Sequence, residues 1–424
     1  LLLFGLSCWL IGSRNSLNRR IDAIRSEGYP ATIADLAPAI IPTDDDAAAQ
    51  LAAVAGRFAD FDRELAGFER TQVGAAYREE RRRGEPSTAE QLDAMREIVK
   101  KFPELDAVIE QAAACGEYAS RYDYRLPQPQ FLAAMLPQAS NLRTVARYVA
   151  WQMRLAIAEG RPDLAVEQGI SLLRLAALYD NSEPGIISSQ IAMVVRGVAA
   201  SEIYDALSAG PISPELRTKL DDELGRFNPE QSLHHALITE RAITISATQD
   251  QIGGGMKAIV ANTVGLSMKR MYMDAIDYYE PMLPVAEQPW HVVFQGSTSI
   301  FQTPTSYGTM ADLLAPSFEA HIHAVHRTSA VLRSLRAFNA LQRYAEEHGA
   351  EAAALVDLTL PAEATVDPFT GKPLIAKSVD GNWSVYSVGK DSVDDGGEFE
   401  TPKDFGVGPS KPVAANPEPG LSLI

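Results

Sequence analysis

The chain has 424 residues, of which 46% are hydrophobic and 22% are charged, so it is long and apolar enough to bury a large core. Acidic residues outnumber basic ones by 55 to 38, which gives a net charge of −17 at pH 7. Nucleic acids bind basic surfaces through counterion release, so this balance argues against a nucleic-acid partner. The two cysteines, Cys8 and Cys115, do not fix a redox compartment.

The chain begins with an apolar run, LLLFGLSCWLIG, that carries no charge. Such a run is typical of a membrane anchor or of the core of a signal peptide. Ser7 and Cys8 fit a lipoprotein cleavage box poorly, and the run continues beyond them, so we expect an uncleaved anchor. The basic residues that follow favour a cytoplasmic body by the positive-inside rule. They are Arg14, Arg19, Arg20 and Arg25.

Residues 1–27 are predicted to form the anchor and a stalk helix, which Gly28 and Pro30 end. From residue 28 to 355, helix starts and stops alternate without a strict period, which predicts an irregular α-solenoid or helical bundle. Thr43 and the acidic triplet after it are typical of a helix start. The main predicted helices are 44–68, 103–118, 141–159, 162–179, 185–208, 214–226, 231–251 and 309–349. Residues 141–180 form a predicted hairpin that is similar to a tetratricopeptide unit.

Three histidines, His321, His323 and His326, cluster on the long helix predicted for residues 309–349. Glu319, His323 and His326 are spaced i, i+4 and i+7, so they share one helix face and offer the side chains of a transition-metal site. The chain has no HExxH pair, and histidines that pack in a core show the same spacing. A metal-dependent hydrolase and structural histidines both remain open.

Residues 356–400 are the part of the chain that does not read as helix. Turn residues at 367–373 precede two β-rich runs, 374–377 and 383–388, which predict a small β-hairpin unit. The tail, residues 401–424, is rich in Pro and Gly and is predicted to be disordered.

An acidic loop follows the predicted hairpin. Asp391, Asp394 and Asp395 precede two glycines, and closely spaced carboxylates on such a loop suit Ca²⁺. The spacing is not that of an EF-hand, and an acidic loop in solvent is the alternative.

Two resemblances accompany these patterns. The motif DPFTGKPL…YSVGKDSVDDGG resembles the C-terminal motif of type II secretion pseudopilins, which implies a small β-unit whose acidic loop can hold calcium. The chain lacks the prepilin N-terminus of that family. The chain is also similar to a group of membrane-anchored helical proteins of Planctomycetes-type bacteria. The likeness lies in AIRSEGYPATIADLAP, in the ALQRYAEEHG…DLTLP segment and in the same C-terminal motif. That likeness implies a periplasmic or other extracytoplasmic body, and it brings no catalytic residues.

The sequence therefore predicts a mainly α protein with an N-terminal anchor, a helical body and a small C-terminal β-unit. We expect a scaffold or accessory subunit that binds other proteins at the membrane, with no catalytic residues and no cofactor except Ca²⁺. A metal-dependent hydrolase that uses residues 319–326 is one alternative. A pilin-like secretion or assembly component is the other.

Overall fold

The computed structural model describes residues 17–82, 85–253, 276–294, 308–349, 352, 354–379, 382–397, 399 and 404–409. The fold is mainly α-helical with a small antiparallel sheet near the C-terminus, so the predicted fold class is confirmed. The apolar run at the start of the chain lies outside the described residues, and the anchor stays a prediction.

The first part of the body is built from short helices. They are α1 (residues 17–26), α2 (Ala47–Ala53), α3 (Ala55–Glu69), α4 (Gln72–Arg82), α5 (Ala89–Val99) and α6 (Glu104–Ala114). The predicted helix 44–68 is interrupted at Val54. It begins after Asp46, whose Oδ1 accepts the Ala48 N–H at 3.0 Å, while Thr43–Asp45 forms a 3-10 turn. The helix thus starts at Ala47, three residues later than predicted, and its capping residue is Asp46 of the acidic triplet and not Thr43.

The second part contains the long helices. They are α7 (Gln128–Ala158), α8 (Pro162–Ser182), α9 (Gly185–Ala209), α10 (Pro214–Leu224), α11 (Pro229–Gly253), α12 (residues 276–286), α13 (Trp290–Val293) and α14 (Gly308–His348). The predicted hairpin is present as α7 and α8, which turn at Gly160 with φ of +71°. α7 starts earlier than predicted, because Pro129 lies in its first turn, where the missing N–H has no helical partner to lose.

The centre of the body is α9, which contacts α7, α8, α11 and α14. Among the described helices, α9 is long and apolar enough to cross a membrane, with a mean hydropathy of 1.3 over its most apolar stretch. That stretch is 61% buried inside the body, as a core helix would be. The same composition that resembles a membrane span therefore serves here to pack four neighbouring helices.

Buried charges on α9 are paired with its neighbours. Arg196 donates to Asp180 of α8 at 2.9 Å, and both side chains are almost fully buried. Glu202 accepts from Arg154 Nε at 3.0 Å and is also paired with Arg81 of α4. A buried charge without such a partner would be strongly destabilising, so these contacts fix how α4, α7 and α8 sit around α9.

The predicted β-hairpin is present in the C-terminal unit. Its strands are β1 (Ile375–Val379), β2 (Asn382–Ser387) and β3 (Phe405–Val407), in the order β1-β2-β3 and antiparallel throughout. Val379 pairs with Asn382, which is the register of a hairpin with two residues between the strands. β3 lies in the stretch predicted to be disordered, so residues 404–409 belong to this unit; residues 410–424 lie outside the described part. Both β2 and β3 pack on α14.

The N-terminal helix α1 packs against the body. Arg20 Nη2 donates to Asp277 of α12 at 3.0 Å, and Arg25 pairs with Asp35 at 3.0 Å. Gly28 ends the helix with φ of +86°, as its position predicted. The buried apolar residues of this contact are Leu17, Ile21, Ile24, Ala31, Ile245 and Ile276.

Gly169 tests the packing of α8 on α9. A Cβ at this position would lie 2.4 Å from Ile203 Cγ1, so we expect Gly169→Ala to lower the free energy of unfolding by about 1–3 kcal/mol. Gly197 on α9 has no such neighbour within 4 Å, and Gly197→Ala should raise stability by about 0.5–1 kcal/mol through helix propensity. Urea unfolding of both variants measures the difference, and equal effects would contradict the close contact.

Candidate functional site

The C-terminal unit is fastened by one buried carboxylate, Asp367. Its Oδ1 accepts the Phe369 N–H and the Ser387 hydroxyl, each at 2.8 Å, and its Oδ2 accepts the Val388 N–H at 3.2 Å. Gly371 closes the turn, because its N–H donates to the Asp367 carbonyl at 2.9 Å. Asp367 therefore ties the turn before β1 to the end of β2.

The acidic loop folds back over the sheet through Asp394. The Asp394 carboxylate accepts from the Tyr386 hydroxyl at 2.8 Å, from the Gly396 N–H at 2.9 Å and from Lys377 Nζ at 3.0 Å. The Gly396 N–H, followed by Lys377 and Tyr386, holds the pKa of Asp394 below its ordinary value, against a small effect of burial. Asp391 is exposed and accepts the N–H of the nearby Val393 at 3.1 Å.

Asp404 adds a fourth acid to this loop. Its Oδ2 accepts the Gly397 N–H at 2.8 Å, whereas its Oδ1 is buried with no hydrogen-bond partner among the described residues. Burial raises the pKa of Asp404, and the charges of Asp395 and Asp394 raise it further. A buried carboxylate oxygen beside two other acids has the chemistry of a cation ligand.

The predicted calcium ligands are thus divided by the structure. Asp394 and Asp395 lie beside Asp404, whereas Asp391 is directed into its own turn. No group of three or more His, Cys, Asp or Glu side chains in the described part of the chain is arranged to hold a metal ion. The sequence did not indicate Asp404 as a ligand, because it lies in the stretch predicted to be disordered. The short β-prone run Phe405–Val407 could have indicated a third strand and so placed Asp404 beside the sheet.

The histidines of α14 lie in two different surroundings. His323 lies against Phe369 of the C-terminal unit, with ring centroids 5.5 Å apart. His326 lies against Trp290 of α13, also with ring centroids 5.5 Å apart. His321 is fully buried beside Asp180. Glu319 is partly exposed. The predicted ligand face therefore forms an aromatic interface, to which Trp290 of α13 and Phe369 contribute.

Burial keeps the α14 histidines neutral. It lowers the pKa of His323 to about 4, helped by the charges of Lys390 and Arg327. It lowers the pKa of His326 to about 3, helped by Arg333. Protonation of these rings would bury a charge among apolar rings, so the interface between α14 and the C-terminal unit requires the neutral forms.

A small polar cavity lies beside the Asp180–Arg196 ion pair. Its volume is about 40 Å³, enough for roughly one to three waters. The Ser232 hydroxyl donates to Asp180 Oδ2 at 2.8 Å, while Asp180 Oδ1 has no partner among the described residues. The only sign of this cavity in the sequence is Arg196, a lone arginine in the apolar helix α9. The sequence does not reveal its partner, because Asp180 lies on another helix.

The comparisons with known proteins add no family to this geometry. No protein-family model, no curated protein and no solved structure matches the chain.

The calcium prediction can be tested at Asp404. If Ca²⁺ binds the acidic loop, millimolar CaCl₂ should raise the melting temperature of the chain, because a ligand that binds only the folded state stabilises it. Asp404→Asn should abolish the shift, and Asp391→Asn, which changes an exposed acid of the same loop, should leave it in place. Differential scanning calorimetry measures both. An equal shift in the two variants would contradict a site at Asp404.

The α14 histidines predict sensitivity to acid. Since the folded pKa of His326 is about 3 and the unfolded value about 6.5, stability should be complete above pH 6.5 and fall as the pH is lowered. His326→Gln should remove about 2–3 kcal/mol of that loss between pH 6.5 and 4. Urea unfolding across this range measures the effect. His348→Gln, at the exposed end of α14, is the control, and a matching profile for the two variants would refute the prediction.

Proposed function

We propose that the protein is a membrane-anchored scaffold or accessory subunit that binds other proteins at the membrane surface and has no catalytic role. The docking of α1 carries this proposal. Only residues 13–16 separate the apolar run from α1, and α1 is joined to α11 and α12 by buried apolar side chains. A body fixed to this helix would be held close to the bilayer.

The ion pairs of α1 bear on the orientation. The positive-inside rule counts Lys and Arg near a membrane segment, yet Arg20 and Arg25 are paired with Asp277 and Asp35 of the body. These pairs weaken the argument for a cytoplasmic body. We therefore favour a periplasmic or other extracytoplasmic body, as the resemblance at both ends of the chain implies.

A groove between α3 and α5 supports protein binding. It is an open groove of about 620 Å³, with an apolar floor that includes Phe68, Ile98 and Phe102. Charged residues form its rim, where Lys101 pairs with Glu64 at 2.9 Å. An apolar centre within a polar rim is the usual anatomy of a protein interface.

The acidic loop supports a structural Ca²⁺ in the same proposal, because Asp404 Oδ1 is buried beside Asp394 and Asp395. The hydrolase alternative gains less support. His323 and His326 pack against Trp290 and Phe369, a setting that suits structural histidines.

The test is purification of the full chain from native membranes in mild detergent, with mass spectrometry of the proteins that co-elute. We expect the chain to resist alkaline extraction and to elute with a stoichiometric partner. Ile21→Asp, which places a charge in the buried face of α1, should keep the chain in the membrane and lose the partner. Ala23→Asp, on the exposed face, should retain both.

Other outcomes would redirect the proposal. A chain released by alkaline extraction would contradict the anchor, and a chain that elutes alone would contradict the accessory-subunit role. Co-purification with filament proteins would support the pilin-like alternative instead.

A further inference from the structure

Glu183 lies in a buried polar cluster at the junction of α8 and α9. The Tyr122 hydroxyl donates to Glu183 Oε2 at 2.8 Å. On α11, His235 Nε2 lies 3.2 Å from the Glu183 backbone carbonyl, which can only accept, so this nitrogen carries the ring proton. Tyr118 and Tyr179 close the cluster, with ring centroids 5.3 Å apart. The Glu183 side chain therefore has hydroxyl donors but is removed from water.

The charge of an ionised Glu183 would have no counter-ion. No basic side chain among the described residues lies within ion-pair distance of its carboxylate, whereas the nearby Asp46 has Arg121 at 3.9 Å. Asp46 is itself buried and adds a second negative charge. Burial raises the pKa of Glu183 to about 7, against the hydrogen bond from the Tyr122 hydroxyl, which lowers it.

The cluster is also the joint between the N-terminal segment and the body. The Ala119 N–H donates to Asp46 Oδ1 at 3.0 Å, and the Ala47 N–H donates to the Glu117 carbonyl at 3.0 Å. Tyr122, the donor to Glu183, shares an apolar cluster with Ile33. Residues 116–122 thus connect Glu183 to residues 31–47, which follow α1.

We propose that Glu183 binds one proton from solvent, and that this proton holds residues 31–47 and 116–122 against the body. A neutral carboxyl satisfies the Tyr122 hydrogen bond without placing an unpaired charge in the cluster. Loss of the proton leaves two buried carboxylates, Asp46 and Glu183, facing the same short segment.

The sign of the pH dependence follows from linkage. In the closed state Glu183 keeps its proton up to about pH 7. In a locally opened state the carboxyl would lose its proton near the ordinary glutamate pKa of about 4.3. The closed joint is therefore most favoured below about pH 4.3, the ordinary pKa of a glutamate. Opening should become about tenfold easier per pH unit between pH 5 and 7, and then level off.

Other titratable and charged groups face the cluster and must be separated from Glu183. They are Asp46, Arg121, Tyr118 and Tyr124 from the N-terminal segment and its loop, Arg143 on α7, Tyr179 and Asp180 on α8, and His235 and Glu240 on α11. Burial lowers the pKa of His235, so that group acts in the opposite direction. A comparison between variants cancels these contributions, because they are common to all the proteins compared.

The experiment is hydrogen exchange of the full chain from pH 5 to 8.5, corrected for intrinsic rates and read at residues 31–47 and 116–124. The wild type should lose protection as the pH rises to 7. Glu183→Gln, an isostere of the protonated acid, should not lose protection between pH 5 and 7 as the wild type does, and the exposed Glu117→Gln should behave like the wild type. Tyr122→Phe removes a donor that favours the ionised form, so it should move the levelling point to higher pH.

Infrared difference spectra between wild type and Glu183→Gln supply a second readout. A protonated-carboxyl band at pH 6 that is absent from the variant is expected. No such band, or parallel exchange profiles for wild type and Glu183→Gln, would overturn the proposal. Increased protection of residues 31–47 and 116–124 on addition of NaCl or KCl at constant pH would also overturn it, because a monovalent cation would then supply the positive charge.

Discussion

The body is organised by the burial of α9 and by the need to pair the charges that this helix carries into the core. Its apolar surface packs against α7, α8, α11 and α14 at once, so the hydrophobic gain comes from four interfaces. Arg196 and Glu202 are buried with it and must find carboxylate and guanidinium partners. Those partners come from α8 and α7, and the pairing allows few other arrangements of the three helices.

Both ends of the described chain attach to this body by apolar contacts. α1 uses Leu17, Ile21 and Ile24 together with the Arg20–Asp277 pair. The C-terminal unit uses Phe369 and Phe405 against the neutral histidines of α14. Acid should weaken the C-terminal contact, because His323 and His326 gain charge there.

Two buried acids show different responses to the same physical problem. Asp404 and Glu183 both lie out of water near other carboxylates, and burial raises the pKa of each. At Asp404 one oxygen is left without a donor among the described residues and further acids lie nearby, which supports the Ca²⁺ proposed above. At Glu183 the Tyr122 hydroxyl donates to the carboxyl, which supports the proton proposed above. The number and geometry of nearby oxygens distinguish the two cases.

The sequence by itself determined the helices, the hairpin and the local part of the acidic loop. Each of these features depends on residues that are close together in the sequence, so it can be predicted from the sequence alone. Examples are the helix caps, Gly28, Gly160 and the alternation in residues 374–388. Only the tertiary structure decided which side chains meet. Asp404 lies beside Asp395 because β3 pairs with β2. His323 contacts Phe369 because the sheet packs on α14. Glu183, at the end of α8, accepts the hydrogen bond of Tyr122 from the loop before α7. Such contacts depend on packing between distant segments, and no local spacing encodes them.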